Sequence, residues 1–496
     1  MAKAKVGIIG AGPGGLACAM ILAHRGFDVT VLEREKEVGG RNAPIRMNGY
    51  TFDTGPTFLM MKFVLDDIFG LAGKKSTDYL KFKRLEPMYH LTFADGTKFS
   101  PTSDKKKMAK EFERAFPGNL EGLKRFYVRE KERYEKLLPC LQLDYTHFTE
   151  FFAKHFIVAI PHLLTKGSLF QNLGNYFKED KLRLCFTFQS KYLGMSPWEC
   201  PGAFTMIPFV EHEFGIYHVM GGLNALALGM AKAVKDCGGK VRTGAEVKQV
   251  IVKDGCAKGV LLKGGEKLMF DEVVINADFG YAATNLFPKG ILKKYSPENV
   301  AKKRFSCSTF MLYLGVGKKY EIPHHSIYFA KDYRSNVEDI FKRTRLSKDT
   351  SFYIQNASIT DSSLAPKGKS AIYILVPVAN NTSKINWAKE KKRFRELVLS
   401  TVEKRTPMKD IRKHIEAEKI TTPDDWEKKY KVYAGATFNL AHSLGQMLYF
   451  RPHNKFEEIG NCYLVGGGTH PGSGLPTIYE SGRITANLIS KAHGKG

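Results

Sequence analysis

The sequence predicts an α/β fold, on three observations. Residues 5–9 (KVGII) form a short β-branched run that breaks at once into Gly10-Ala11-Gly12-Pro13-Gly14-Gly15 and continues as a helical pattern over 16–25. A second apolar run, 27–32 (FDVTVL), ends in Glu33. Glycine-rich turns leading into helical patterns recur twice, in VMGGLNALALGMAKAVKDCGG from 219 and in the loop 466–476 that follows a strand pattern at 462–465. Strand, glycine turn, helix and strand in that order open a Rossmann-like dinucleotide-binding domain, here assembled from three separated pieces.

Within the first turn Gly10 permits the tight bend, Gly12 lets a pyrophosphate approach the backbone and Gly15 lets the helix sit close to the strand. Pro13 and Gly14 complete the loop, and the helix N-terminus beyond it faces the phosphates. Glu33 falls where an acidic residue meets the ribose hydroxyls, which argues for FAD or NAD rather than NADP. Six residues on, Gly39-Gly40 lets a loop pass near the dinucleotide and Arg41 offers it a charge, which favours FAD.

A chain of 496 residues with 43% hydrophobic and 25% charged residues holds two domains or one large domain with an insertion, which excludes a small binding module and a disordered chain. Its 76 basic against 50 acidic residues leave a charge of +26 and point to an anionic partner, nucleic acid or a membrane face. No nucleic-acid reading motif is evident, which turns the expectation to the membrane. The eight cysteines show no C-x-x-C or metal-type spacing and read as buried free thiols in a reducing compartment, with no metal. The uncharged stretch 6–23 imitates a signal peptide or short span, but five glycines and Pro13 cut it; no other uncharged run reaches spanning length, so an integral protein is not expected.

Residues 49–57 read GYTFDTGPT. With the glycine turn, Glu33 and Gly39-Gly40-Arg41, this block resembles the FAD-dependent carotenoid desaturases, the phytoene and diapophytoene desaturase family within the flavin amine oxidase group. Gly221-Gly222-Leu223, 273–278 (VVINAD), 364–368 (LAPKG) and 468–476 (GTHPGSGLP) continue the resemblance in that family's order over essentially the full length, with spacing nearest the bacterial C30 branch. The resemblance implies an FAD-binding domain from 1–85, 216–285 and 431–496. Two inserts, 86–215 and 286–430, would make an α+β substrate domain with a helical membrane-associating lobe. Thr57 and Gly468 fall in blocks that would touch the cofactor, and Val247 is either on the adenine side or core. The last helix would aim its N-terminus, residues Leu475, Pro476, Thr477 and Ile478, at the flavin N1 and C2 carbonyl region, where negative charge gathers on reduction.

The first insert reads as helical, most densely aromatic and basic over 148–177, a stretch broken by Pro161 and suited to lying in a membrane interface or to packing as an internal helix pair. Basic clusters at 105–107 and 391–393 would add electrostatic attachment at the cytoplasmic face of the membrane. The implied substrate is a long polyene with no heteroatom to grip, so an apolar tunnel is expected, with Phe152, Phe156, Phe204, Met206 and Phe209 as its candidate lining or, alternatively, as ordinary core.

The expected chemistry is hydride transfer from an allylic carbon to flavin N5, leaving a delocalised cation that loses a neighbouring proton. His470 and Glu480 are the candidate proton acceptor or electrostatic partner; a loop-fixing hydrogen bond and a solvated helix position are the alternatives. Tyr479-Glu480-Ser481-Gly482-Arg483 departs from the smaller apolar residues usual in diapophytoene desaturases, which leaves substrate length and step number open. With no second nucleotide motif and no cysteine redox pair, reoxidation falls to oxygen or a membrane quinone. A terminal-methyl oxygenase, an isomerase, a saturase and a non-catalytic prenyl-lipid carrier use the same scaffold and stay open as alternatives.

Overall fold

The structure, a computed structural model, describes residues 3–495. A five-stranded sheet runs in the order Lys240–Arg242, Asp28–Leu32, Lys5–Ile9, Glu272–Ile275, Cys462–Leu464, with every neighbouring pair parallel. Three distant stretches of chain therefore meet in one sheet. From Lys5–Ile9 the chain turns first to one side and only later to the other, and this reversal opens a crevice at the carboxyl ends of the strands. Helix Pro13–His24 is buried almost along its whole length, because it lies on the sheet beneath Leu475–Ala492 and Asn224–Asp236. It starts three residues earlier than the periodicity suggests, since Pro13 at the first helical position costs no backbone donor.

A second sheet of seven strands runs Ile415–Thr421, Ser308–Val316, Ser370–Val378, Phe352–Asn356, His325–Tyr328, His90–Thr92, Lys98–Phe99. The last two strands come from the segment expected to be helical; His90–Thr92 pairs in parallel with His325–Tyr328 and joins both inserted segments in one sheet. One face of this sheet carries Leu312, Ile354 and Ile374 against Trp387, Phe394 and Val398 of helix Trp387–Arg405. The other faces inward. Met311 pairs with Leu375, Leu375 with Tyr353 and Tyr353 with Ile327, so these four side chains form a row across it.

The remainder of the first inserted segment is a helical lobe built on Lys105–Ala115, Leu120–Leu141, Lys154–Leu163 and Met206–Phe214. Its core is dense in phenylalanine, with Phe186 edge-on to Phe126 at 5.0 Å and tilted against Phe177 at 4.8 Å. Among the described residues no helix is long and apolar enough to cross a membrane.

Candidate active site

A single cavity of about 1,090 Å³ runs from the carboxyl ends of the parallel sheet to the inner face of the seven-stranded sheet. Gly10, Gly12, Pro13, Gly14, Glu33 and Gly40 border its first half. Two helices open into it, and neither has a side-chain cap: Gly12 precedes Pro13–His24 and Gly474 precedes Leu475–Ala492. Their first-turn amides are left as donors for an anion or a partial negative charge. Gly10 has φ +100°, a left-handed backbone that glycine adopts without strain, and a Cβ on Gly15 would stand 2.5 Å from the Gly10 carbonyl oxygen. Glu33 is buried; its Oε2 accepts from Ala11 N at 2.9 Å and its Oε1 from Glu35 N at 3.0 Å, which orients the carboxylate at the cavity edge. Gly39 N donates to the Ala11 carbonyl at 2.9 Å and ties the second glycine loop to the first.

Arg41 borders the cavity, with Nη1 donating to the Thr437 carbonyl at 2.6 Å. With its amide turned to satisfy both neighbours, Asn439 accepts from Arg41 Nη2 at 2.9 Å and donates to Asp278 Oδ2 at 2.6 Å. Burial pushes the Asp278 carboxyl up, and Arg41 pulls it back. Thr57, Val247, Gly468, Leu475, Pro476 and Ile478 also line the cavity.

The second half is apolar. Phe58, Met60 and Phe188 meet the row Met311, Leu375, Tyr353, Ile327 that forms its floor. None of Phe152, Phe156, Phe204, Met206 and Phe209 is part of this lining. Phe156 stacks edge-on to Phe151 at 4.7 Å and Phe209 packs on Tyr127 and Tyr134 within the helical lobe, and Phe204 lies at its edge against His442. Met206 is half-buried beside the same core, whereas Phe152 is 69% exposed.

His470 and Glu480 also lie off the cavity. His470 is fully buried edge-on to Tyr145 at 4.8 Å, and burial with nearby Arg451 holds its imidazole neutral, down to about 3. Glu480 is paired with Arg483 at 2.5 Å and accepts from Gln142 Nε2 at 3.1 Å, so it ties the last helix to the lobe rather than facing a substrate. Gly15, Gly39 and Thr477 stand one layer back; the Thr477 hydroxyl donates to the Gly472 and Gly474 carbonyls of its own loop.

Residues 13–490 match the family described as flavin containing amine oxidoreductase. The chain belongs to that family. Among its relatives, a 4,4'-diapophytoene desaturase (4,4'-diapolycopene-forming) of Methylomonas sp is 54% identical over 98% of this chain and 95% of its own length. The all-trans-zeta-carotene desaturase of Myxococcus xanthus is 36% identical over 99% of this chain and 94% of its own. Of solved structures, an oxidoreductase from Methanosarcina mazei aligns with a TM-score of 0.65 at 16% identity, covering 98% of this chain and 100% of that one. A putrescine oxidase bound to putrescine aligns with a TM-score of 0.64 at 14% identity, covering 99% of each chain; these two establish shared fold only. This flavin containing amine oxidoreductase is an enzyme of the carotenoid desaturase group, with FAD as its cofactor.

The residues present fit such a group. Uncapped helix ends, a glycine loop without side chains and an acid braced by two backbone amides suit the diphosphate and ribose of FAD. Asn276 is part of this half and was not singled out from sequence. Its Nδ2 donates to the Gly10 carbonyl at 3.0 Å, and it borders the cavity directly after strand Glu272–Ile275. Its position at the carboxyl end of a parallel strand beside the reversal in strand order is the signal that could have found it.

Proposed function

We propose that this enzyme introduces conjugated double bonds into a linear isoprenoid hydrocarbon, with 4,4'-diapophytoene as the preferred substrate. The observation that carries the reading is the undivided cavity: one space joins the glycine-loop half to the apolar floor of Met311, Leu375, Tyr353 and Ile327. A hydrocarbon offers no hydrogen-bond handle, so its position must come from shape. The floor presents side chains from one face of a sheet covered behind by a helix, which keeps it rigid.

Bound FAD supplies the acceptor for a hydrogen leaving with its electron pair. Gly12, Gly14 and the first turn of Pro13–His24 would hold the diphosphate, Glu33 the ribose, Val247 the adenine side and Leu475–Ile478 the flavin ring. The apolar half excludes water from the reacting carbons, which protects a cationic chain from capture by hydroxide. In this reading 1–85, 216–285 and 431–496 form the cofactor domain and the two inserts the substrate domain.

The polyene starts in lipid, so delivery matters more than affinity. The lobe carries Phe148, Phe152, Ile157 and Leu164 exposed by 54%, 69%, 54% and 60%, with Phe450, 57% exposed, beside Phe151. Exposed Lys154 and Lys166 flank them on a protein of net charge +26. An apolar patch rimmed by cations suits the interface of an anionic bilayer, and this face would bring the enzyme to the inner face of the cytoplasmic membrane. Electrons would leave to oxygen or a membrane quinone.

The test is incubation of flavin-loaded protein with C30 and C40 polyenes and mass analysis of the products. Loss of two hydrogens per step, faster on the C30 chain, is expected. A hydroxylated or aldehyde product, or an unchanged hydrogen count, would overturn the reading.

A further inference from the structure

Tyr353 stands in the middle of the cavity floor, and its phenol oxygen is hydrogen-bonded to two groups, Thr57 Oγ1 at 2.8 Å and His325 Nδ1 at 2.6 Å. His325 lies on the same sheet face, two residues from Ile327 on the neighbouring strand, outside the cavity lining, and is 2% exposed. Its ring is 4.3 Å from that of His324, which is 4.9 Å from that of His218, and His218 Nε2 lies 3.2 Å from the buried Asp361 Oδ2. A line of imidazoles ending in a carboxylate thus begins at the cavity surface. Nothing in flavin binding accounts for it, because none of these histidines borders the cavity.

Removing two hydrogens from adjacent carbons releases one proton, and a hydrocarbon chain has no atom of its own to take it. Tyr373, also on the floor, donates to the Gly55 carbonyl at 2.9 Å, an oxygen that cannot carry a proton onward. Lys191 at the cavity edge holds its Nζ over the Tyr333 ring, 4.8 Å from the centroid; burial lowers it to about 8, so most of it rests as an ammonium at neutral pH with no lone pair to offer. Tyr353 differs in being in direct contact with an imidazole, His325, that is itself outside the cavity lining.

We propose that Tyr353 is the catalytic proton acceptor of the desaturation and that His325 is the positioning base beside it. The inference rests on the desaturase reading above. Once the first hydrogen has left with its electron pair, the neighbouring C–H bond breaks. Its electron pair completes the new C=C bond, and its proton goes to the Tyr353 oxygen as the phenol's own proton passes to His325 Nδ1. The positive charge moves from the chain to the imidazole, and no atom or electron is left over. The exchange requires the phenol hydrogen, donated to Thr57 Oγ1 at 2.8 Å, to turn onto His325 Nδ1, with the Thr57 hydroxyl donating to the phenol oxygen in its place.

Burial with His218 and His90 nearby lowers the His325 imidazole to about 3, so it rests neutral and unprotonated. That is a weak base, and it suffices, because a C–H bond beside an allylic cation is a strong acid. An uncharged acceptor keeps the resting floor free of a buried ion, which costs several kcal/mol; the charge is buried only when the imidazole takes the proton.

The experiment compares wild type, Tyr353→Phe and His325→Gln in anaerobic single turnover, using substrate deuterated separately at the carbon losing the electron pair and at the carbon losing the proton. General-base loss typically costs about 10²- to 10⁴-fold. Tyr353→Phe is expected to slow turnover by at least about 100-fold, with flavin content, flavin spectrum and the substrate concentration giving half the maximal single-turnover rate unchanged. An isotope effect should emerge at the proton-losing carbon, where wild type shows little. His325→Gln, which keeps a hydrogen-bonding group at this position, should move the isotope effect the same way and reports the outcome if Tyr353→Phe does not fold. Turnover of Tyr353→Phe within threefold of wild type, or slowing with an isotope effect only at the other carbon, would overturn the proposal. A wild type that yields no desaturated product would instead overturn the reading beneath it.

Discussion

Gly482 and Gly14 bring the two ends of the chain into contact: a Cβ on Gly482 would stand 2.7 Å from the Gly14 carbonyl oxygen and 2.9 Å from Ala17 Cβ. The helices Pro13–His24 and Leu475–Ala492 cross here without side chains between them, which sets both uncapped N-termini on one cavity. Gly482→Val cannot be absorbed by a flexible side chain, because the obstacle is backbone. Overpacking of this kind costs about 1–3 kcal/mol, and it spreads the two helix ends that suit the cofactor. The thermal midpoint and the ratio of flavin to protein absorbance should both fall; an unchanged flavin ratio would mean that the crossing does not set the cradle.

The same crossing explains what the sequence makes legible. Gly10, Gly12 and Gly14 carry their meaning locally, since a strand, a left-handed turn and a helix within twenty residues can adopt one arrangement, and the second strand ending in Glu33 extends it. The cavity floor is different. Strands Ser308–Val316 and Ser370–Val378 are buried on both faces, one by helix Trp387–Arg405 and one by the cavity, so their hydropathy does not alternate and nothing in it separates Met311 from Leu312. The phenylalanines of the helical lobe look equally suited to a tunnel, yet they fill a core of their own. His470 misleads for a related reason: its loop is close to the cavity through Gly468 and Ser473, while its side chain turns the other way, onto Tyr145.

Glu33 separates cofactor binding from folding. Its carboxylate satisfies two backbone amides at the cavity edge and, on the reading above, the ribose. Glu33→Ala loses charge-assisted hydrogen bonds worth about 1.5–3 kcal/mol each, and it leaves the buried Ala11 amide and the part-buried Glu35 amide without their acceptor. FAD affinity measured by flavin fluorescence should drop at least about tenfold, which corresponds to about 1.4 kcal/mol. The far-ultraviolet circular dichroism of the flavin-free variant should match wild type. Equal affinity in the folded variant would misplace the ribose.

His442 gives the protein a defined acid limit. Its Nδ1 lies 3.3 Å from the Leu193 carbonyl and its Nε2 accepts from Ser473 N at 3.1 Å, so the neutral ring links the helical lobe to the carboxy-terminal loop. Burial, then Arg451, holds its pKa well below 6.5. A depressed histidine contributes stability that is fully present above its unfolded value and is lost as pH falls below 6.5 toward the folded value, because the unfolded chain takes up the proton first. The loss from one such group is about 1.4 kcal/mol per pH unit. Urea unfolding between about pH 6.5 and 5 should show His442→Gln, which can still accept from Ser473 N, with a slope shallower by about one proton. The other buried histidines act equally in both proteins, so the difference isolates this ring, and parallel slopes would exclude it.

The last prediction divides charge from apolar insertion at the membrane. Raising salt from about 0.15 M to 1 M shortens the screening length from about 8 Å to 3 Å, which removes most of the attraction of a +26 protein for anionic lipid and leaves apolar contacts in place. Fully burying a phenylalanine side chain contributes about 1.5–3 kcal/mol, so Phe148, Phe152 and Phe450, all more than half exposed, can hold the protein once charge is screened. Wild type should float partly with anionic vesicles at low salt and retain a salt-resistant fraction. The triple variant Phe148→Ser, Phe152→Ser, Phe450→Ser should bind at low salt and be released completely at high salt, with its fold intact because none of the three side chains is buried. If the variant keeps the same salt-resistant fraction, the anchor lies elsewhere on the surface and this face of the lobe is not the route by which the polyene enters.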